Sequence, residues 1–203
     1  MAKKKYPKIL QNKIVVIFII AILLVGFTWF VIEMVENIFP GDTKVKLETT
    51  EGDIVIELYS DKSPITVKNF IDYVEAGHYD ELVFHRVING FMIQGGGFDE
   101  SGNEKRTKAP IKLESDNGLK NEEGTVAMAR TNVLDSATSQ FFINVKDNDF
   151  LNYAPGNPGY AVFGKIIKGM DVVKNIEEAA TTSKNGMDDW PIQNIKIIKA
   201  TII

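Results

Sequence analysis

From Thr43 onward apolar and polar residues alternate with a period of two. Val45, Leu47 and Thr49 stand between Lys44, Lys46 and Glu48, and beyond Glu51-Gly52-Asp53 the apolar positions resume at Ile54, Ile56 and Leu58. This pattern predicts two antiparallel strands joined by a tight turn. The period then changes. Ser63-Pro64 places a capping residue before a proline suited to a first helical turn, and Val67, Phe70, Ile71 and Val74 share one face before Gly77 stops the helix. Strand-like runs follow at 82–88, 91–94, 125–130, 140–145 and 160–167, separated by loops rich in Gly, Asn, Asp and Lys. A second short helix is predicted around Met170 to Glu178. The last strand, Ile192 to Ile203, carries apolar residues in both phases, as a strand that closes a sheet against a helix does. Many strands with two helices and no regular alternation between them predict a mainly β domain, an antiparallel barrel or sandwich with helices over its ends.

Ahead of this domain the pattern is different. Residues 14–32 form 19 consecutive apolar or uncharged positions, which as a helix rising ~1.5 Å per residue would extend roughly 28 Å, close to the ~30 Å hydrocarbon core of a bilayer. Lys3, Lys4, Lys5, Lys8 and Lys13 precede the run and Glu33, Glu36 and Asp42 follow it. The positive-inside rule therefore predicts a cytoplasmic basic tail (1–13), a transmembrane helix acting as an uncleaved signal anchor (14–32), a linker (33–42) broken by Pro40-Gly41, and an extracytoplasmic domain (43–203). A cleaved signal peptide shares the basic start and the apolar stretch. Against it stand the length of the run and the absence of an Ala-x-Ala-like site near Gly26-Phe27-Thr28-Trp29-Phe30. A buried core helix is a third reading, disfavoured because the segment is not amphipathic.

Charge and composition remove several function classes. The net charge is −4, but the five leading lysines leave 18 basic against 27 acidic side chains in the remainder. An acidic domain without a basic stripe predicts no nucleic-acid binding. With two histidines and no cysteine, a transition-metal site is not expected, nor is a disulfide or a lipid-modified cysteine. Gly95-Gly96-Gly97 lacks a following Gly-Lys-Ser/Thr and is read as close backbone packing in a bend rather than a phosphate loop. No Gly-x-Ser-x-Gly or Ser-His-Asp set is present. Asp188-Asp189, beside Gly186, reads as a pair of solvated turn residues.

One constellation remains. Phe84-His85-Arg86, Phe91-Met92-Ile93-Gln94-Gly95-Gly96, Gly124-Thr125-Val126-Ala127-Met128-Ala129-Arg130 and Ser139-Gln140-Phe141-Phe142-Ile143-Asn144 occur in that order, with Gly52-Asp53-Ile54 and Thr66-Val67-Lys68-Asn69-Phe70 ahead of them. Together these motifs resemble those of the cyclophilins, the peptidyl-prolyl cis/trans isomerases, over Thr43 to Ile203. The Met-Ala-Arg version and the stretch Val145 to Leu151 resemble the bacterial-type branch. The resemblance implies an eight-stranded antiparallel barrel capped by two helices and an isomerase assisting the folding of proline-containing polypeptides, here exported or membrane-proximal ones. No cofactor is implied. It further implies Arg86 and Gln94 as catalytic residues, a proline pocket of Phe91, Met92, Phe142 and Leu151, and substrate contacts at Ala129, Arg130, Gln140, Phe150 and Tyr160. Phe150 stands where many eukaryotic members have tryptophan and Tyr160 where they have histidine, which implies weak cyclosporin binding.

The residues are chemically suited to that reaction. Rotation about an X-Pro bond crosses a barrier near ~18–20 kcal/mol and is slow, tens to hundreds of seconds, when uncatalysed. A donor that reaches the amide nitrogen only in the twisted state lowers the barrier, and an arginine does so without transferring a proton. Other residues have plainer readings. Strand alternation sends Phe141 and Ile143 to the face opposite Phe142, as core, and by the same parity His85 faces away from Arg86 as a structural residue. A proline-peptide binding module or holdase is the alternative function, since it needs the pocket but not the arginine.

Overall fold

The computed structural model describes residues 43–203. Eight strands form a closed antiparallel barrel: β1 (Lys44–Thr49), β2 (Gly52–Leu58), β3 (Leu82–Ile88), β4 (Met92–Asp99), β5 (Thr125–Met128), β6 (Phe141–Asn144), β7 (Val162–Lys168) and β10 (Lys196–Ile202). Their order around the barrel is β1-β10-β3-β4-β6-β5-β7-β2. Helices α1 (Pro64–Glu75) and α2 (Met170–Glu177) complete the expected set, and β8 (Thr181–Lys184) pairs with β9 (Met187–Pro191) as a separate hairpin.

Alternation along the strands divides the apolar residues into two groups. Val45, Leu47, Ile54, Ile56, Ile93, Phe141 and Ile143 enter the barrel, where α1 adds Val67, Phe70, Tyr73 and Val74. Phe70 sits 5.0–5.5 Å from the rings of Tyr79, Phe141 and Phe163, sealing the core with aromatic edges and faces. Met92, Ala127, Phe142, Leu151 and Val162 form a second, smaller cluster. It lies on the opposite face of β4, β5 and β6, because neighbouring side chains in a strand point to opposite sides.

Several local expectations are corrected. Ser63 occupies the N-cap position of α1, but its hydroxyl donates to Val162 O at 2.8 Å. The cap comes from Glu114 in the long loop, whose carboxylate accepts from Ile65 N (3.2 Å), Thr66 N (2.8 Å) and Thr66 Oγ1 (2.7 Å). Tyr160 precedes β7 rather than opening it, since its N–H is held by Leu151 O at 2.9 Å. Asp188 and Asp189 belong to β9. The final strand starts at Lys196, four residues later than the apolar run suggests.

Among the described residues, no helix is long and apolar enough to cross a membrane. The expected span at 14–32 lies outside the described residues.

Candidate functional site

Strand register builds the site. Arg86 on β3 pairs with Gln94 on β4, Gln94 with Phe142 on β6, and Phe142 with Ala127 on β5, giving one row across four strands. The first member of that row depends on an irregularity. The β3–β4 register shifts between Phe84 and Arg86, and Phe84 and Val87, three residues apart, both enter the barrel core. The two residues between them are therefore both excluded from it. Parity holds for Phe141, Ile143 and Phe142 but not for the placement of His85 opposite Arg86: Arg86 joins the outer face, and His85, also outside the core cluster, packs 4.7 Å from Phe98 and 6.1 Å from Trp190 in the structural role expected of it.

A cavity of about 130 Å³ lies on the row, lined by Arg86, Phe91, Met92, Gln94, Ala129, Arg130, Phe142, Leu151 and Tyr160. It suits one apolar side chain rather than a drug-sized molecule, whose pockets run ~300–1,000 Å³. Phe142 and Tyr160 meet edge to face at 5.6 Å. Nine of the eleven residues expected at the site thus share one pocket. The other two stand behind or beside it. Gln140 accepts a 2.8 Å hydrogen bond from Gln94 Nε2, fixing the amide that faces the cavity. Phe150 is 64% exposed and stacks on Phe91 at 5.5 Å, extending the rim.

Close backbone approach keeps this layer in place. A Cβ on Gly96, whose φ is +88°, would fall 2.8 Å from Ser139 O, and one on Gly97 would fall 2.7 Å from the Gln140 side chain. The glycines lie within β4 rather than in a loop bend. Arg130 has little freedom to act as a free cation: Nε and Nη2 donate to Gly159 O (3.2 and 2.9 Å), Nη1 donates to Thr131 O (2.9 Å), and the guanidinium lies 4.6 Å over the Tyr160 ring. It braces the Tyr160 wall.

Sequence reasoning missed the asparagine network beneath the pocket. Asn148 Nδ2 donates to Phe91 O (2.9 Å) and Asn144 Oδ1 (2.8 Å), Asn144 Nδ2 donates to Thr125 Oγ1 (2.9 Å), and Asn121 Nδ2 donates to Leu151 O (3.1 Å). These amides, those of Asn121, Asn144 and Asn148 all buried, tie Phe91 and Leu151 in the pocket lining to the barrel. It missed Asp189 as well, whose Oδ2 lies 3.6 Å from Arg86 Nε.

His85 is 4% exposed. Burial drives its pKa down to about 4, and Arg86 adds to that effect, while contacts with Val83 and Gln140 oppose it. It is therefore neutral near pH 7. Among the described residues, no group of three His, Asp or Glu side chains is disposed to hold a metal ion.

A closed antiparallel barrel with a small apolar pocket and an arginine on its outer face defines the class of protein. Residues 44–202 match the family model described as cyclophilin type peptidyl-prolyl cis-trans isomerase/CLD. A peptidyl-prolyl cis-trans isomerase of Acinetobacter baylyi is 55% identical over 162 residues, covering 80% of this chain and 86% of its own length. Peptidyl-prolyl cis-trans isomerase B of Escherichia coli is 52% identical over 161 residues, covering 78% and 98%. Among solved structures, a cyclophilin type isomerase of Cryptosporidium parvum, crystallised in the presence of the dipeptide Ala-Pro, aligns with a TM-score of 0.69 at 29% identity, covering 79% of this chain and 98% of that one. The chain belongs to the cyclophilin-type peptidyl-prolyl cis-trans isomerase family, and its activity is peptidyl-prolyl cis/trans isomerisation.

Proposed function

We propose that the substrate proline ring seats among Phe91, Met92, Phe142 and Leu151 while Arg86 donates to the twisted amide and Gln94 holds the flanking backbone. The observation that carries this reading is the strand row that sets Arg86, Gln94 and Phe142 side by side at one cavity. The Ala-Pro dipeptide present with the Cryptosporidium parvum relative supports a proline at this pocket. Planar amide nitrogen has its lone pair in resonance, so it is a poor acceptor. Rotation localises that pair, and a guanidinium N–H placed beside it binds the twisted state better than either planar one. The apolar floor keeps competing water away. Nothing in the step transfers a proton, so catalytic efficiency is flat from about pH 6 to 9.

The basic flank and the 19-residue apolar run support a single-pass cell-membrane protein, with the N-terminus in the cytoplasm and the isomerase domain acting outside on exported or membrane-proximal polypeptides.

The test is a protease-coupled isomerase assay of the full chain against Arg86→Ala. Loss of a transition-state hydrogen bond of oxyanion-hole strength costs about 2.7–4 kcal/mol, or about 10²–10³ in kcat/KM, with the melting temperature unchanged. A variant retaining more than about a third of the activity refutes the donor role. A wild-type chain that binds a proline peptide without turnover identifies a binding module instead.

A further inference from the structure

We infer that Asp189 is a positioning residue for Arg86, acting through the guanidinium Nε to aim the remaining donors at the pocket. The inference rests on the proposed donor role of Arg86. Asp189 Oδ2 lies 3.6 Å from Arg86 Nε, and the two side chains are 38% and 43% exposed.

The carboxylate is not placed there by an idle loop. Asp189 has a φ of +63°, a conformation that costs an L-residue free energy and that aspartate tolerates better than most. Its neighbour Trp190 is buried against His85 and Phe98, and the indole Nε1 donates to Asn194 Oδ1 at 3.0 Å. His85 directly precedes Arg86 in β3. The plug that fixes Asp189 is thereby packed on the strand that carries its partner. The β8–β9 hairpin is also tied to the turn after β4, by Lys184 Nζ to Glu100 O (2.6 Å) and Asn185 Nδ2 to Ser101 O (2.9 Å). Asp188 is engaged within the hairpin, accepting from Ser183 Oγ at 2.5 Å. Asp189 is the acid directed at Arg86.

The chemistry favours a division of labour within the guanidinium. Its five N–H groups form a rigid planar fork, so an anion beside Nε constrains the plane and leaves the Nη groups to face another acceptor. A long side chain held before substrate arrives has less freedom to lose in the transition state.

The experiment compares Asp189→Asn, which keeps shape and removes charge, and Asp189→Gly, which removes the carboxylate and relaxes the positive φ. Each is measured by exchange NMR on a proline peptide, which separates the catalysed rate from peptide affinity. We expect kcat to fall about 2- to 5-fold in both, the range open to a half-exposed ion pair, with peptide Kd unchanged in both and the melting temperature unchanged in Asp189→Asn. In an Arg86→Lys background, which lacks Nε, Asp189→Asn should have no further effect. Wild-type or raised kcat in both variants overturns the inference, as does an equal loss in the Arg86→Lys background, which marks a structural role. Silent Asp189 variants together with a collapsed Arg86→Ala refute only the positioning role, whereas an active Arg86→Ala refutes the donor reading itself.

Discussion

Protonation of His85 should destabilise the barrel in mild acid, and the size of the effect follows from its burial. An unfolded histidine titrates near 6.5, whereas in the fold burial holds His85 at about 4. Because the folded pKa is the lower one, the contribution is fully present above about pH 6.5 and is lost as pH falls toward 4, where the unfolded chain takes up a proton that the native state refuses. A difference of about 2.5 between those values, at about 1.36 kcal/mol per pH unit, amounts to roughly 3 kcal/mol. Urea denaturation of wild type and His85→Gln at about pH 7.5, 6, 5 and 4 isolates it. The surface carboxylates held below their ordinary range, such as Asp72 by Lys68 and Asp99 by the Asn103 side chain and nearby backbone donors, titrate in both proteins and cancel. Whatever glutamine costs at neutral pH, the stability gap between the two proteins should shift by roughly 3 kcal/mol in the variant's favour between pH 7.5 and 4. Parallel curves would refute the reasoning and show that His85 reaches solvent or finds an acceptor when charged.

Glu114→Ala removes the carboxylate that caps α1 from the long loop and should cost about 1–2 kcal/mol of stability by urea midpoint, while Glu114→Gln recovers part of it and isomerase activity changes little. Phe150 presents a ring but no donor; Phe150→Trp should tighten cyclosporin inhibition about 5- to 150-fold, the worth of one stranded acceptor, without changing turnover. In cells the full chain should sediment with membranes, resist carbonate extraction and be digested by protease added from outside; a soluble mature form starting between Gly26 and Asp42 would instead identify cleavage.

Much of the barrel was legible because its strands are half-buried in the simplest way. β1 alternates cleanly, β2 keeps its inward Ile54, Ile56 and Leu58 although Val55 between them is buried as well, and β3 runs over the residues its composition suggests, Leu82–Ile88. The β8–β9 hairpin was not found, because β8 is solvated on both faces and has no alternation to detect. One signal did mark it. Asn185-Gly186, with φ of +53° and +78°, is the residue pair that a tight hairpin turn demands. The cap on α1 was unreadable, since Glu114 is 48 residues distant from Thr66. Site residues divide along similar lines. Phe91, Met92 and Phe142 carry no mark that separates a pocket from a core, and the motif resemblance singled them out. The structure supplies the physical distinction, two faces of one sheet.

The irregularity in β3 sets the one placement that alternation alone does not. Strict alternation permits one outward residue between two inward ones, and would have put His85 and Arg86 on opposite faces. The register shift instead sets both outside the core, so the same local event aims Arg86 at the pocket and leaves His85 to be covered by Trp190 from the β8–β9 hairpin. A one-residue slip in β4 would send Gln94 inward and Ile93 to the pocket, dismantling the row. The glycines at the ends of the run oppose that slip in either direction: one brings Gln94 to the place of Gly95, where a Cβ falls 3.0 Å from Phe84 Cδ1 and 3.3 Å from Val83 O, and the other brings Phe98 to the place of Gly97, against the Gln140 side chain. The feature that places the arginine, the hairpin that covers its neighbour and the glycines that hold the register are thus parts of one packing solution, and the chemistry at Arg86 depends on all three.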